Sequence, residues 1–148
     1  MHKLYRVEKR LDGRIYGPFC YENSFFSDLS KLEFVNDLDI KKLKNNNIFS
    51  YAVWRHPRVT LHQDPYLREI WFNLIKNNDT QSWLTGTKTL EQLAEWFPKS
   101  IRSSIDNEGF MVVKYYFGEC HHGLRQSIGR YDTRTKHQLV GPLEKILI

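Results

Sequence analysis

The sequence predicts an α+β fold: one domain over residues 1–148, with a small antiparallel (mixed) sheet and several short helices. Three observations point there. LYRVEKR and FMVVKYYF alternate and are rich in β-branched and aromatic residues, as strands are. Two later segments open with helix-capping residues and continue at helical spacing. No internal repeat, low-complexity tract or long linker divides the chain, and 148 residues suffice to bury a core without disulfide staples.

In order along the chain, Leu4, Arg6 and Glu8 alternate with Tyr5 and Val7, and Asp12-Gly13 turns this first strand into RIYGPF, giving an N-terminal hairpin. From Ser24 to Lys44 the apolar positions Phe25, Phe26, Leu29 and Leu32, then Phe34, Val35, Leu38, Ile40 and Leu43, follow helical spacing with one break. Two short helices result, ended by Asn45-Asn46-Asn47. IFSYAVWRHP is a strand stopped by Pro57, with VTLHQ as a short extension. Asp64-Pro65 starts a helix, with Asp as N-cap and Pro in the first turn. Leu67, Ile70, Trp71, Leu74 and Ile75 share one face of it as far as Asn77-Asn78-Asp79.

In the second half, Thr89 and Gln92 form a capping-box pattern, opening a helix whose Leu90, Leu93, Ala94 and Phe97 face a core until Pro98 interrupts it. KSIRSSID adds a second helical stretch, closed by Asn107-Glu108-Gly109. The strand FMVVKYYF follows, then GECHHG as a hairpin tip and LRQSIGRY as the returning strand. DTRTKH turns once more, QLV pairs, and Gly141-Pro142 leads into LEKILI.

Composition narrows the function classes. Hydrophobic residues at 41% and charged residues at 26% describe a globular chain, and the aromatic share of 14% suggests a core or a binding surface built on rings. The net charge of +5 fits an anionic partner, whether nucleic acid, nucleotide or acidic protein, and equally fits solubility alone. With two cysteines, Cys20 and Cys120, and no apolar run at the start MHKLYRVEKR, the expected setting is a reducing cytoplasm with both thiols free and no membrane span.

The stretch ECHHGLRQ raises the question of a metal site. Zinc needs four ligands converging from spaced positions, whereas Cys120, His121 and His122 are contiguous and point to alternating sides of an extended chain. An exposed hairpin tip is the expectation, with no metal ligand, and Cys120 beside His121 lacks the supported geometry of a nucleophile. TGTKT, residues 85–89, offers amides near a helix start together with Thr85, Thr87 and Lys88, the makings of a small anion site or simply a capped loop. It has neither the Walker spacing nor the dinucleotide fingerprint. Arg6 with Arg125 and Gln126 is a second polar set, whose plain reading is a solvated sheet face. His56 before Pro57, with Asp64 downstream, is a third.

The order YRVE (5–8), GPF (17–19), HP (56–57) with Asp64 following, GTKTLEQLAEWF (86–97), GFMVVKYY (109–116) and HGLRQSI (122–128) resembles small proteins of tailed phages and prophages. The Lys- and Asn-rich stretch from Asp37 to Asn47 and the valine in HPRV depart from that pattern. The resemblance implies phage origin, expression in the bacterial cytoplasm and an accessory role, of which countering host defence is the commonest concrete form. A further likeness of layout is to the ADP-ribosyltransferase fold, in which Arg6, Thr85 or Thr87, and Gln126 would take the places of the family's arginine, hydroxyl and last-strand residue. LRQSIGRY has no carboxylate to stabilise an oxocarbenium ion, so that likeness implies a pocket more than a reaction.

The expected function is therefore non-catalytic binding of a nucleotide-type signal or of a bacterial defence protein, with no cofactor and no catalytic residue assigned. Arg6, His56, Thr85, Thr87, Lys88, Arg125 and Gln126 are the candidate ligand-binding residues. An ADP-ribosyltransferase-like enzyme and a nucleic-acid-binding protein are the alternatives, the second resting on the basic charge and on the aromatics interleaved in KYYF and GRYDTRTKH. The aromatic content also makes a homodimer plausible.

Overall fold

The computed structural model describes residues 1–11, 14–16, 64–97 and 99–148. The two helices expected between Ser24 and Lys44, the strand IFSYAVWRHP, His56 and Cys20 lie outside the described residues.

The expected α+β class is what the structure shows, but the strands among the described residues form two sheets where one was expected, and every pairing described is antiparallel. The first sheet has the order β2-β1-β4-β7, from β1 (His2–Leu11), β2 (Arg14–Tyr16), β4 (Met111–Phe117) and β7 (Gln138–Gly141). The second has the order β3-β6-β5, from β3 (Trp83–Gly86), β5 (Cys120–His122) and β6 (Ser127–Arg130). A bridge joins them: the Tyr5 amide donates to the Thr87 carbonyl at 2.7 Å and the Thr87 amide to the Tyr5 carbonyl at 2.9 Å. The outer edge of β1 is thus shared, its start by the end of β3 and its end by β2.

Among the described residues four α-helices accompany the sheets: α1 (Pro65–Lys76), α2 (Leu90–Trp96), α3 (Lys99–Asn107) and α4 (Leu143–Ile146). Their ends follow from local chemistry. The Asp64 carboxylate accepts from the Leu67 amide at 3.2 Å, with Pro65 in the first turn, and the Thr89 hydroxyl accepts from the Gln92 amide at 3.1 Å. The Gln92 side chain returns to the Lys88 amide, one residue upstream of the reciprocal capping-box bond. Gly109, at φ +88°, ends α3 as the Asn-Glu-Gly sequence predicts. Asp106 caps the short α4, its two carboxylate oxygens accepting from the Leu143 and Glu144 amides. The buried Arg102 guanidinium donates to the Ala94, Phe97 and Leu147 carbonyls, where α2 and α4 end.

Side-chain alternation then sets the layers. One face of the first sheet, through Val7 and Val112, packs on α2, α3 and α4, with Leu93, Trp96, Phe97, Ile101 and Ile105 filling the contact. Leu93 and Phe97 are buried as the helical spacing predicts, and Leu90 and Ala94 pack beside them. The opposite face, through Leu4, Val113, Tyr115 and Phe117, packs against Leu84 of the second sheet. The outer side of the second sheet carries Trp83 and Ile128 against Leu67, and the predicted stripe of α1 supplies Ile70, Trp71 and Leu74 around them. Ile75 departs from that stripe and remains half exposed.

Three sequence expectations are corrected here. TGTKT is not wholly a loop, because Thr85 and Gly86 belong to β3. The hairpin tip is not at the cysteine and histidines: Cys120–His122 is itself a strand, and the tip is Gly123–Gln126. The returning strand consequently starts at Ser127 and not at Leu124. Contiguous residues do alternate as expected: Cys120 opposes Gly129 and His122 opposes Ser127 on one face, and His121 opposes Ile128 on the other.

Candidate binding site

The plain reading of Arg6, a candidate ligand-binding residue, as part of a solvated sheet face is overturned, since Arg6 is 0% and Glu8 3% exposed. The reason is that the second sheet folds over this face of β1. Arg6 Nε lies 3.1 Å from Glu8 Oε2, and another of its nitrogens donates to the Thr85 carbonyl. The other Glu8 oxygen accepts the Tyr115 hydroxyl at 2.6 Å and Arg10 Nη2 at 3.3 Å, and Arg10 Nη2 also lies 2.7 Å from the Tyr115 oxygen. Two arginines, a carboxylate and a phenol thus satisfy one another where the sheets meet.

Burial raises the Tyr115 phenol above its ordinary range, the negative charge of Glu8 and its hydrogen bond adding to the effect. In the native state the proton is therefore held more tightly than in the unfolded chain, where tyrosine titrates near ~10. The resulting stability is fully present below about pH 10 and falls as pH rises beyond it. Thermal melts from pH 8 to pH 11.5 are expected to show that decline, and Tyr115→Phe, although less stable throughout, is expected to lose the part of the slope due to this phenol.

The sequence-predicted residues divide into two groups. Arg6 and Thr85 are in direct contact inside the protein, with Thr85 3% exposed and Thr87 and Gln126 buried. Thr87 is committed by its backbone to Tyr5 and by its hydroxyl to the Thr89 carbonyl at 2.8 Å. With the Lys88 amide bonded to Gln92, little of TGTKT remains to cradle an anion. Lys88 and Arg125 reach the surface, Arg125 lying 3.7 Å from Glu95.

Arg125 and Gln126 are carried on the hairpin tip, and the tip is fixed by bonds that sequence reading did not anticipate. Asp64 Oδ2 accepts from the Leu124 amide at 2.5 Å, Gln92 Nε2 donates to the Leu124 carbonyl at 3.0 Å, and Trp96 Nε1 donates to the Arg125 carbonyl at 3.3 Å. The Gly123 amide closes the turn on the Gln126 carbonyl at 2.8 Å. Gly123 is required because a Cβ there would stand 2.5 Å from Leu67 Cδ1 and closer still to the Asp64 carboxylate. The tip is thus clamped between the start of α1 and one side of α2, with the Leu124 side chain 74% exposed. Tyr66, 55% exposed on α1, has its hydroxyl 3.3 Å from His121 Nδ1.

Asp64 therefore both caps α1 and holds the tip. Asp64→Ala is expected to cost about 2 kcal/mol, combining a lost cap with an orphaned amide. Hydrogen exchange should register it as faster exchange at Leu124 than in the sheets.

A serine–histidine pair also went unanticipated: His122 Nδ1 lies 2.7 Å from Ser127 Oγ, with Cys120 Sγ 3.9 Å from His122 Nε2. Their two-strand register could have revealed the pairing had Cys120–His122 been read as a strand. Ser127 is 0% exposed, so a substrate has no access to its oxygen. Burial pushes the Cys120 thiol up to about 12, and burial with the nearby Lys88 charge lowers His122. A protonated thiol and a closed-off hydroxyl do not form an activated nucleophile. Among the described residues no cluster of His, Cys, Asp or Glu is arranged to hold a metal ion, and no helix is long and apolar enough to cross a membrane.

Fold and site together define a small α+β protein that presents a rigid surface loop from a junction of two antiparallel sheets. Residues 1–140 match the family described as Bacteriophage T4 Y00F protein, and the chain belongs to that family. It is thus a phage protein, in agreement with the expected phage origin. No curated protein and no solved structure is significantly similar to it.

Proposed function

We propose that this phage protein is an accessory factor that counters a host defence component by stoichiometric, non-catalytic binding, and that the hairpin tip Gly123–Gln126 is its contact element. The observation that carries the reading is the clamped tip: its backbone is held by Asp64, Gln92 and Trp96 while Leu124 is left exposed. A pre-ordered loop loses little conformational freedom on binding, and an exposed apolar side chain followed directly by the basic Arg125 has the make-up of a protein-binding hot spot. The dispersal of the anion-site residues, several of them interior, favours a protein partner over a nucleotide signal.

The test is affinity capture from host lysate, followed by titration of the captured protein against wild type and Leu124→Asp. A complex of fixed stoichiometry, weakened at least about thirtyfold by Leu124→Asp, is expected. A host protein bound equally well by the variant would remove the tip from the account. A thermal-shift panel of NAD, ADP-ribose and cyclic nucleotides covers the nucleotide alternative, for which a large shift with intact ligand is the required result.

A second reading is as an ADP-ribosyltransferase-like enzyme, although Arg6 meets Thr85 through the Thr85 backbone carbonyl and both are buried. Against it, β6 carries no carboxylate. Nicotinamide release from NAD by wild type, abolished in Arg6→Lys, would support it.

A further inference from the structure

The face of the first sheet that packs on α2, α3 and α4 is covered only in part. Val7 and Val112 lie under the helices, Tyr5 and Val140 pack half-buried at the margin of that core, Lys3 is exposed, and Lys114 and Tyr116 are half-buried on the same face. Strand register arranges the two lysines and two tyrosines as a checkerboard: Lys3 opposes Tyr116, and Tyr5 opposes Lys114. Each ammonium group stands over the ring two residues along its own strand, Lys3 Nζ 5.3 Å from the Tyr5 centroid and Lys114 Nζ 5.5 Å from that of Tyr116. Gln138 of β7 continues the row beside Lys114, and the residues that β1, β4 and β7 present on this face include no carboxylate.

We infer that this face is a platform for single-stranded nucleic acid, with Tyr5 and Tyr116 stacking bases and Lys3 and Lys114 taking phosphates. Three features point to that occupant. Two rings on adjacent paired strands offer stacking surfaces that any base can use, while a base inside a duplex has no free face. Lysines without a carboxylate, among the residues these strands present on this face, match a polyanion, in a chain of net charge +5. The platform is also rigid: β1 is bonded to β4 on one edge and to Thr87 on the other, and the Tyr116 backbone is held by Thr135, whose hydroxyl accepts from its amide and whose amide donates to its carbonyl. An arriving base displaces each lysine from its ring toward the phosphates on either side.

This surface is distinct from the hairpin tip and stands or falls separately. Fluorescence anisotropy with a 12-nucleotide oligo-dT, and with a 12-base-pair duplex as comparison, tests it between 50 and 300 mM salt. The single strand should bind and the duplex bind more weakly. Tyr116→Leu should weaken single-strand binding on the order of tenfold while Tyr116→Phe retains it. Lys3→Ala with Lys114→Ala should reduce the slope of log affinity against log salt by about 1.4, two phosphate contacts at ~0.7 each. Leu124→Asp should bind the oligonucleotide as wild type does. Absence of binding at 50 mM salt, equal affinity for duplex, or a Tyr116→Leu protein that melts as wild type and binds undiminished would overturn the inference.

Discussion

Glu8→Ala is expected to be among the most destabilising single substitutions in the first sheet, costing about 3–5 kcal/mol. The Glu8 side chain is 1% exposed and that of Arg6 0%, so removing the carboxylate leaves the Arg6 guanidinium in the interior without its counter-charge. It also strips the Tyr115 hydroxyl of its acceptor and Arg10 of its buried partner. Loss of a buried acceptor adds its own desolvation cost to that of the unpaired cation. Thermal denaturation should show a fall on the order of 10 °C or more. The double variant Arg6→Met with Glu8→Leu should cost less than the sum of the two single changes, because no charge remains buried. A fall in Tm of only a degree or two for Glu8→Ala would mean that the cluster is open to water.

Gly86→Ala is expected to cost about 3 kcal/mol through one methyl group. A Cβ at this position would stand 2.5 Å from the Tyr5 carbonyl oxygen and nearer still to the Leu4 side chain. Leu4 could rotate away, but the Tyr5 carbonyl cannot, since it accepts from the Thr87 amide in the bridge that joins the sheets. The substitution therefore forces that junction apart and lifts β3 off β1. Urea denaturation with hydrogen exchange measures both consequences: a lowered midpoint, and exchange at Tyr5 and Thr87 that quickens more than elsewhere in β1. Unaltered protection of those two amides would contradict the role given to Gly86.

These two residues also mark what the sequence could and could not disclose. The caps at Asp64, Thr89 and Gly109 were legible because each depends on residues within one helical turn. The strand FMVVKYYF was legible from propensity alone. The alternation of Arg6 and Glu8 with Tyr5 and Val7 correctly gave a strand, but a strand whose polar face is solvated and one whose polar face is buried as an ion-paired cluster share that pattern. What separates them is the second sheet, and its first strand, Trp83–Gly86, is four residues long and ends in Thr-Gly, which by composition reads as a turn. Its pairing with β6 and its bridge to Tyr5 are non-local, so no window of sequence contains them. Of the candidate site, Arg125 and Gln126 were expected on the returning strand and lie instead on the tip that precedes it. Leu124 went unnoticed because its exposure depends on Asp64, Gln92 and Trp96, which converge on the loop from distant parts of the chain.

The measurement that bears most directly on non-catalytic binding is a titration of the captured host partner with purified protein, read as a function of both ratio and time. The account predicts that inhibition rises linearly to a sharp end point at a fixed molar ratio, does not deepen with further incubation, and leaves the partner at its original mass once the complex is taken apart. Inhibition by sub-stoichiometric amounts that grows with time, with an added or lost mass on the partner, would contradict it and return the protein to the enzymes.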